Sequence, residues 1–178
     1  MSDTKHSNDE PHGMNVSDLR RSATGFALER DDLDDDPFVQ FADWFGYACK
    51  TVPMDPNAVS LATVDGDGRP SSRTVLLKYF DEKGFVFFSN FESNKARDIE
   101  GNPNVAMLFF WSAAARQVRV SGTAEKIPAS ETMKYFITRP RGSQIGAWVS
   151  AQSSVISSRS ILEMEFQKLK DKFRNKEV

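Results

Sequence analysis

Arg73 and Lys78 stand five residues apart in the run Arg73-Thr74-Val75-Leu76-Leu77-Lys78, two cations within an otherwise apolar stretch. In a regular strand an odd spacing sends side chains to opposite faces, so the two cations would serve different anions. Taken alone, each could also be an ordinary surface cation at a strand end. Ser89, Asn90, Ser93, Asn94 and Lys95 follow where a strand gives way to a helix. Free backbone donors at a helix start, joined by hydroxyls and a lysine, suit a phosphate group. The alternative there is plain capping by Ser93. Tyr135 and Arg139 lie at i and i+4 before Pro140, so a phenol and a guanidinium share a helix face and can donate to one phosphate. Pro140 disfavours helical backbone at Arg139, which lets Ser143 approach from the turn beyond. By themselves Tyr135 and Arg139 fit stacking or a surface salt bridge as well. Gln117, Gln152 and Ser153 offer neutral donors and acceptors of the kind that read the edge of a planar heteroaromatic ring, or that simply meet water.

The chain lacks the usual means of polar catalysis. Both of its histidines, His6 and His12, sit in a polar N-terminal stretch whose composition predicts disorder. A Ser-His-Asp or Cys-His site needs a histidine held beside its nucleophile, and zinc hydrolases usually need several as ligands. Cys49 is the single cysteine, which excludes an internal disulfide and a cysteine metal cluster, and a buried structural thiol is its expected role. The chemistry should therefore belong to a bound cofactor, and redox cofactors fit best, because they bring the reaction and need only position and electrostatics from the protein.

The elements that must position these groups follow from patterning. The 178 residues, 39% apolar, suffice for one domain with a real core plus an N-terminal tail, with the division expected at 35/36. A net charge of −2 gives no electrostatic reason for nucleic acid or an anionic membrane as partner. No apolar run approaches the roughly 20 residues of a membrane span and no secretory signal opens the chain, so a cytoplasmic protein is expected. An acidic stretch ending at Asp36 before Pro37 predicts a helix start. Phe38, Phe41, Trp44, Phe45 and Ala48 then form an aromatic stripe for the core. From Ala58 the texture turns to short β-type runs: AVSLATV, SSRTVLLKYF, FVFFSNF, NVAMLFFW and RQVRVSGTAEKI, with DGDG and DEKG as turns. Helices are predicted near 93–100, 130–139 and 160–174, the last with Leu162, Phe166, Leu169 and Phe173 as its apolar seam. Antiparallel strands closing on themselves with helices at the periphery make a mainly β, α+β fold, a small barrel.

The segments RTVLLK, FVFFSN…SNKA, RQVRVSG, MKYFITRPRGSQIGAWVS and AQSSVISSR, in this order, resemble the pyridoxamine 5′-phosphate oxidases that depend on flavin mononucleotide (FMN). The resemblance runs from about Asp36 to the C-terminus and is most specific in RPRGSQIGAWVS with the QSS that follows. It implies an FMN-binding split β-barrel and a homodimer whose two subunits build each active site. It further implies that Arg73 and Lys95 meet the FMN phosphate with Ser89 and Asn94 beside them. Gln117, Gln152 and Ser153 would contact the flavin, Phe88 would lie at the cofactor, and the backbone of Thr74, Val75, Leu76 and Leu77 would line the ring. Lys78, Tyr135, Arg139 and Ser143 match the residues that hold the phosphate of the B6 substrate, with Arg20 in an arm that covers it. The implied reaction moves a hydride from C4′ of pyridoxamine or pyridoxine 5′-phosphate to the flavin N5. Oxygen then reoxidises the flavin, and pyridoxal 5′-phosphate and peroxide are formed.

Three departures stand out. The family continues past the last helix into a segment rich in proline, tryptophan and glycine, then an Arg-x-His motif, neither of which is in this chain. Ala23 stands where a tyrosine is often found, and Asn94 occupies a position that is commonly basic. Alternatives to the oxidase are a split-barrel flavoprotein with another substrate and a non-catalytic FMN-binding domain.

Overall fold

A computed structural model gives the fold, and residues 27–149, 152–153 and 158–174 are described. His6, His12, Arg20 and Ala23 lie outside them. The chain divides into two compact units, Met1–Asp32 and Leu33–Val178. The described part of the first holds a single 3-10 turn, Arg30–Asp32, with the Glu29 N–H donating to the Asp32 carboxylate.

The second unit opens with helix α1, Pro37–Thr51, whose cap is the expected one: the Asp36 carboxylate accepts the Phe38 N–H at 2.8 Å and Pro37 fills the first position. Five strands follow, β1 Ala58–Val64, β2 Pro70–Asp81, β3 Gly84–Phe87, β4 Asn104–Trp111 and β5 Arg116–Thr123. Helix α2, Asn94–Gly101, interrupts them, and α3 Ala129–Thr138, α4 Arg141–Val149 and α5 Arg159–Lys172 come after. All pairings are antiparallel, in the order β3-β2-β1-β4-β5. The sheet is a curled half-barrel with helices, open between β3 and β5 among the described residues rather than closed by a last pairing. No helix among the described residues is long and apolar enough to cross a membrane.

Turn chemistry sets the register of the central hairpin. Asp65 Oδ1 accepts the N–H groups of Asp67 and Arg69, and Gly68, at φ 81°, supplies the left-handed residue. That turn aligns Thr63 with Ser71 and Leu61 with Arg73.

Val59, Leu61, Val75, Leu77, Met107, Phe109 and Trp111 point to one side of the sheet and bury under α1. Phe41 is the centre of this core, packed edge-on against Phe80, Phe85 and Phe109 with centroids 4.8 to 5.0 Å apart. The expected stripe therefore holds, and Phe38 stacks on Phe85 at its margin. Cys49 does not follow expectation. It is exposed, because it sits one residue beyond Ala48 and is turned about 100° off the buried stripe.

The opposite face of the sheet carries Ser60, Thr74, Leu76, Leu108, Phe110, Gln117 and Arg119, of which Phe110 is 66% exposed. On the last helix the seam of Leu162, Phe166, Leu169 and Phe173 is half-buried where α5 packs on α4. An Arg141 Nη2–H donates to the Phe173 carbonyl between the two.

Candidate functional site

A cavity of about 760 Å³, in the size range of small-molecule sites, lies along β2 and is bordered by residues of α2, α3 and α4. Strand β2 contributes Arg73, Thr74, Val75, Leu76 and Lys78 to its wall. Both cations border this one cavity, although their burial phases do differ: Arg73 shares the parity of the buried Val75 and Leu77, while Lys78 goes with the exposed Thr74 and Leu76. A register shift against β3 between Leu77 and Tyr79 makes Lys78 the extra residue of a bulge, which re-aims the strand at this point.

Lys95, 7% exposed, lines the cavity from the first turn of α2. Its ammonium donates to Ser89 Oγ at 2.9 Å, Gln152 Oε1 at 3.0 Å and Ser93 Oγ at 3.2 Å. All three acceptors are neutral. Burial pulls the Lys95 ammonium below the usual lysine range, and the neighbouring Arg73 charge adds to the effect. Plain capping is not what Ser93 does: its hydroxyl donates to the Asn90 carbonyl at 2.7 Å and makes no side-chain cap bond to α2. Asn94 also lines the cavity, and its Oδ1 accepts from the Arg97 guanidinium. Ser153 is held at φ 68°, a conformation costing a non-glycine residue about 1 kcal/mol or more, next to the Gln152 that reaches Lys95.

Arg73 is gripped from below. It donates to the Leu61 carbonyl at 3.2 Å, to Thr63 Oγ1 at 2.7 Å and to Ser71 Oγ at 2.5 Å, with the Asp98 carboxylate 3.7 Å away. Arg73 and Lys95 thus form a cationic corner in which the buried ammonium has no carboxylate contact among the described residues. A buried cation left to neutral acceptors is costly, and a phosphate would offset that cost through charge-assisted bonds.

Lys78, Tyr135, Arg139 and Ser143 also line the cavity. Neither Lys78 nor Arg139 has a carboxylate partner among the described residues, so a second anion can be held here. The Tyr135 ring stacks on Phe88, centroids 3.8 Å apart and planes 7° apart, which fixes both at the cavity wall. Arg139 has left the helix, with φ −70° and ψ 148°, as its place before Pro140 requires. Ser143 comes not from a turn but from the first turn of α4, where its N–H and that of Gln144 donate to the Pro140 carbonyl.

Two of the expected residues are not brought to this cavity. Leu77 is 3% exposed in the core, and its backbone is tied in both directions to Asn57, through Leu77 N–H to Asn57 O at 2.8 Å and Asn57 Nδ2 to Leu77 O at 2.9 Å. Gln117 sits on β5 opposite Phe110, three strand spacings from β2, or about 14 Å along the sheet. Sequence reasoning missed Ser71 and Pro140 on the cavity wall and the Thr63 and Asp98 groups behind Arg73.

The comparisons with known proteins bear on this arrangement. Residues 46–173 match the family model described as pyridoxamine 5′-phosphate oxidase. The chain is 58% identical over 165 residues to a pyridoxine/pyridoxamine 5′-phosphate oxidase of Crocosphaera subtropica, covering 93% of this chain and 77% of that protein. It is 52% identical over 163 residues to the protein of the same name from Escherichia coli, covering 92% and 75%. Among solved structures it is similar to PhzG from Burkholderia lata in complex with tetrahydrophenazine-1-carboxylic acid, with a TM-score of 0.75, 27% identity and coverage of 80% and 72%. A pyridoxamine 5′-phosphate oxidase-related, FMN-binding protein of Nostoc punctiforme shares the fold, with a TM-score of 0.58 at 16% identity, covering 74% and 73%.

Proposed function

The chain belongs to the pyridoxamine 5′-phosphate oxidase family, a family of enzymes with FMN as cofactor, and we propose that it oxidises pyridoxamine or pyridoxine 5′-phosphate to pyridoxal 5′-phosphate in the cytosol with oxygen as electron acceptor. The observation that carries this reading is the pairing of two cationic corners on one cavity. Arg73 and the buried Lys95 line it, and so do Lys78, Arg139 and the Tyr135 phenol. A phosphorylated flavin and a phosphorylated substrate need two such corners, at a separation that leaves their rings in contact.

The residues divide accordingly. Arg73, Lys95, Ser89 and Asn94 would hold the FMN phosphate. Thr74, Val75 and Leu76, with Phe88, Gln152 and Ser153, would lie along the flavin, and Leu77 would act as core support under it. Lys78, Tyr135, Arg139 and Ser143 would hold the substrate phosphate. The chemistry that FMN would supply when bound is hydride acceptance from the substrate carbon that becomes the aldehyde and two-electron reduction of oxygen to peroxide. The protein has to align, desolvate and exclude, tasks that need no histidine, and none lies among the described residues.

Gln117 fits this reading if it comes from a second copy. It lies on the sheet face that exposes Phe110 and Leu76, far from its own cavity. A homodimer formed through that face would cover the apolar side chains and bring each Gln117 toward the partner's flavin. The similarity to PhzG favours a second reading, a ring substrate without phosphate. Adding FMN and pyridoxamine 5′-phosphate to the purified protein separates the two. The proposal expects flavin uptake and oxygen-dependent pyridoxal 5′-phosphate with ammonia and peroxide in equal amounts. Flavin uptake with no turnover of either B6 phosphate, but turnover of a reduced tricyclic acid, would establish the second reading instead.

A further inference from the structure

We propose that Asp98 is a positioning residue for the flavin phosphate, acting through Arg73 by fixing the hydroxyls that hold its guanidinium. The inference rests on the reading above in which Arg73 meets that phosphate. Asp98 lies on α2, 35 residues from Thr63, and the fold brings its carboxylate under β1 and β2. Thr63, 1% exposed, donates its hydroxyl proton to Asp98 Oδ2 at 2.6 Å, and Ser71 donates to the same oxygen at 3.3 Å.

Direction is the consequence. A hydroxyl has one proton, and once it is given to a carboxylate the oxygen turns only lone pairs to its other neighbours. Those neighbours are the Arg73 nitrogens, Nη1 at 2.7 Å from Thr63 Oγ1 and Nη2 at 2.5 Å from Ser71 Oγ. The carboxylate itself stands 3.7 Å from Nη2, too far for a hydrogen bond, so its hold on the guanidinium runs through the two hydroxyls. Nη1 also donates to the Leu61 carbonyl, which leaves the Nε–H and one Nη2–H for a ligand. Arg73 is therefore fixed in rotation with a defined pair of donors. Without the carboxylate, the hydroxyl protons can turn toward each other across the 3.3 Å between Thr63 Oγ1 and Ser71 Oγ, and one acceptor of the guanidinium is lost.

The test titrates FMN and riboflavin, which lacks the phosphate, into the full chain and follows flavin fluorescence for wild type, Asp98→Ala, Asp98→Asn, Arg73→Ala and the Asp98→Ala/Arg73→Ala double variant. Asp98→Ala is expected to weaken FMN about tenfold, the size of one hydrogen bond to a charged group, and to leave riboflavin unchanged. Asp98→Asn, whose Oδ1 still accepts from Thr63, should recover most of this. The double variant should bind FMN no more weakly than Arg73→Ala alone, because Asp98 acts only through that arginine. Additive losses, equal losses for both flavins, or tighter FMN binding by Asp98→Ala would overturn the proposal. If Asp98→Ala does not fold, Thr63→Val reports on the same chain, and an unchanged FMN-to-riboflavin ratio there would overturn it too. Arg73→Ala that leaves FMN affinity intact would instead bring down the assignment of Arg73 to the phosphate.

Discussion

Replacing Lys95 with Met separates the cost of the cationic corner from its use. The side chain is 7% exposed and its ammonium meets neutral oxygens only, so the apoprotein carries a desolvated charge that does nothing for folding. Met keeps the shape of the stem. No buried acceptor is stranded by the change, because Ser93 still donates to the Asn90 carbonyl and Ser89 to Gln152. Apo Lys95→Met should therefore melt at or above the wild-type temperature. Flavin binding should suffer: a charge-assisted hydrogen bond to phosphate contributes about 1.5 to 3 kcal/mol, or about 10- to 150-fold in affinity. At FMN one hundred times the wild-type Kd, ligand binding stabilises the wild type by about 2.7 kcal/mol. For a chain of this length that is a shift of about 5 to 10 °C. With affinity reduced 30- to 100-fold the same FMN gives under about 1 kcal/mol, a shift of about 1 to 3 °C. Thermal melts with and without FMN measure both quantities. An apoprotein destabilised by several degrees that keeps the full flavin-induced shift would show that Lys95 is a structural cation and the reasoning is wrong.

Arg73→Ala should weaken FMN about 10- to 100-fold and change the affinity for pyridoxal 5′-phosphate little, with Arg139→Ala doing the reverse; equal losses in both titrations would refute the division into two phosphate corners. The lowered proton affinity of Lys95 gives a pH signature. Between its depressed folded pKa and the ordinary lysine value of 10.5, the unfolded chain binds the proton that the folded chain has lost, so apoprotein stability contributed by this group rises with pH. FMN affinity should fall across the same interval as the cation is lost, and Lys95→Met should flatten both slopes.

Much of the fold was legible because local chemistry and global structure agree. The run AVSLATV is β1 and NVAMLFFW is β4, residue for residue, and the turn residues at 65–68 set the hairpin register. The helix 141–149 was not legible: Gly142, Ser143 and Gly146 are poor helix formers after a proline, and it is the burial of Ile145 and packing against α5 that carry it. The bulge at Lys78 was hidden for a different reason, since strict alternation gives no sign of an inserted residue. Within the site, the charged residues announced themselves by type, while Thr63 and Asp98 did not. A threonine alternating with Leu61 and Val59 reads as core, and an aspartate on an exposed-looking helix reads as solvated. Only the packing of α2 against β1 makes them a pair.

The position of Gln117 allows a test of the dimer that needs no structure of it. Strand β5 lies three spacings from β2, and Arg73 is in register with Val120, three residues along β5 from Gln117, so within one chain Gln117 and Arg73 are held about 17 Å apart along the sheet. If each flavin is contacted by Arg73 of one copy and Gln117 of the other, the two lesions Arg73→Ala and Gln117→Ala complement each other. Neither variant alone has an intact site, but a heterodimer of the two has one site with both native residues and one with neither. Random reassociation after co-refolding makes about half of the dimers mixed, so about a quarter of all sites should regain wild-type FMN affinity. The binding isotherm would then show a tight phase of that amplitude, absent from either parent. If Gln117 instead serves its own chain, every site in the mixture keeps one lesion and no tight phase forms, a result that would remove both the shared site and the role of the Phe110 face.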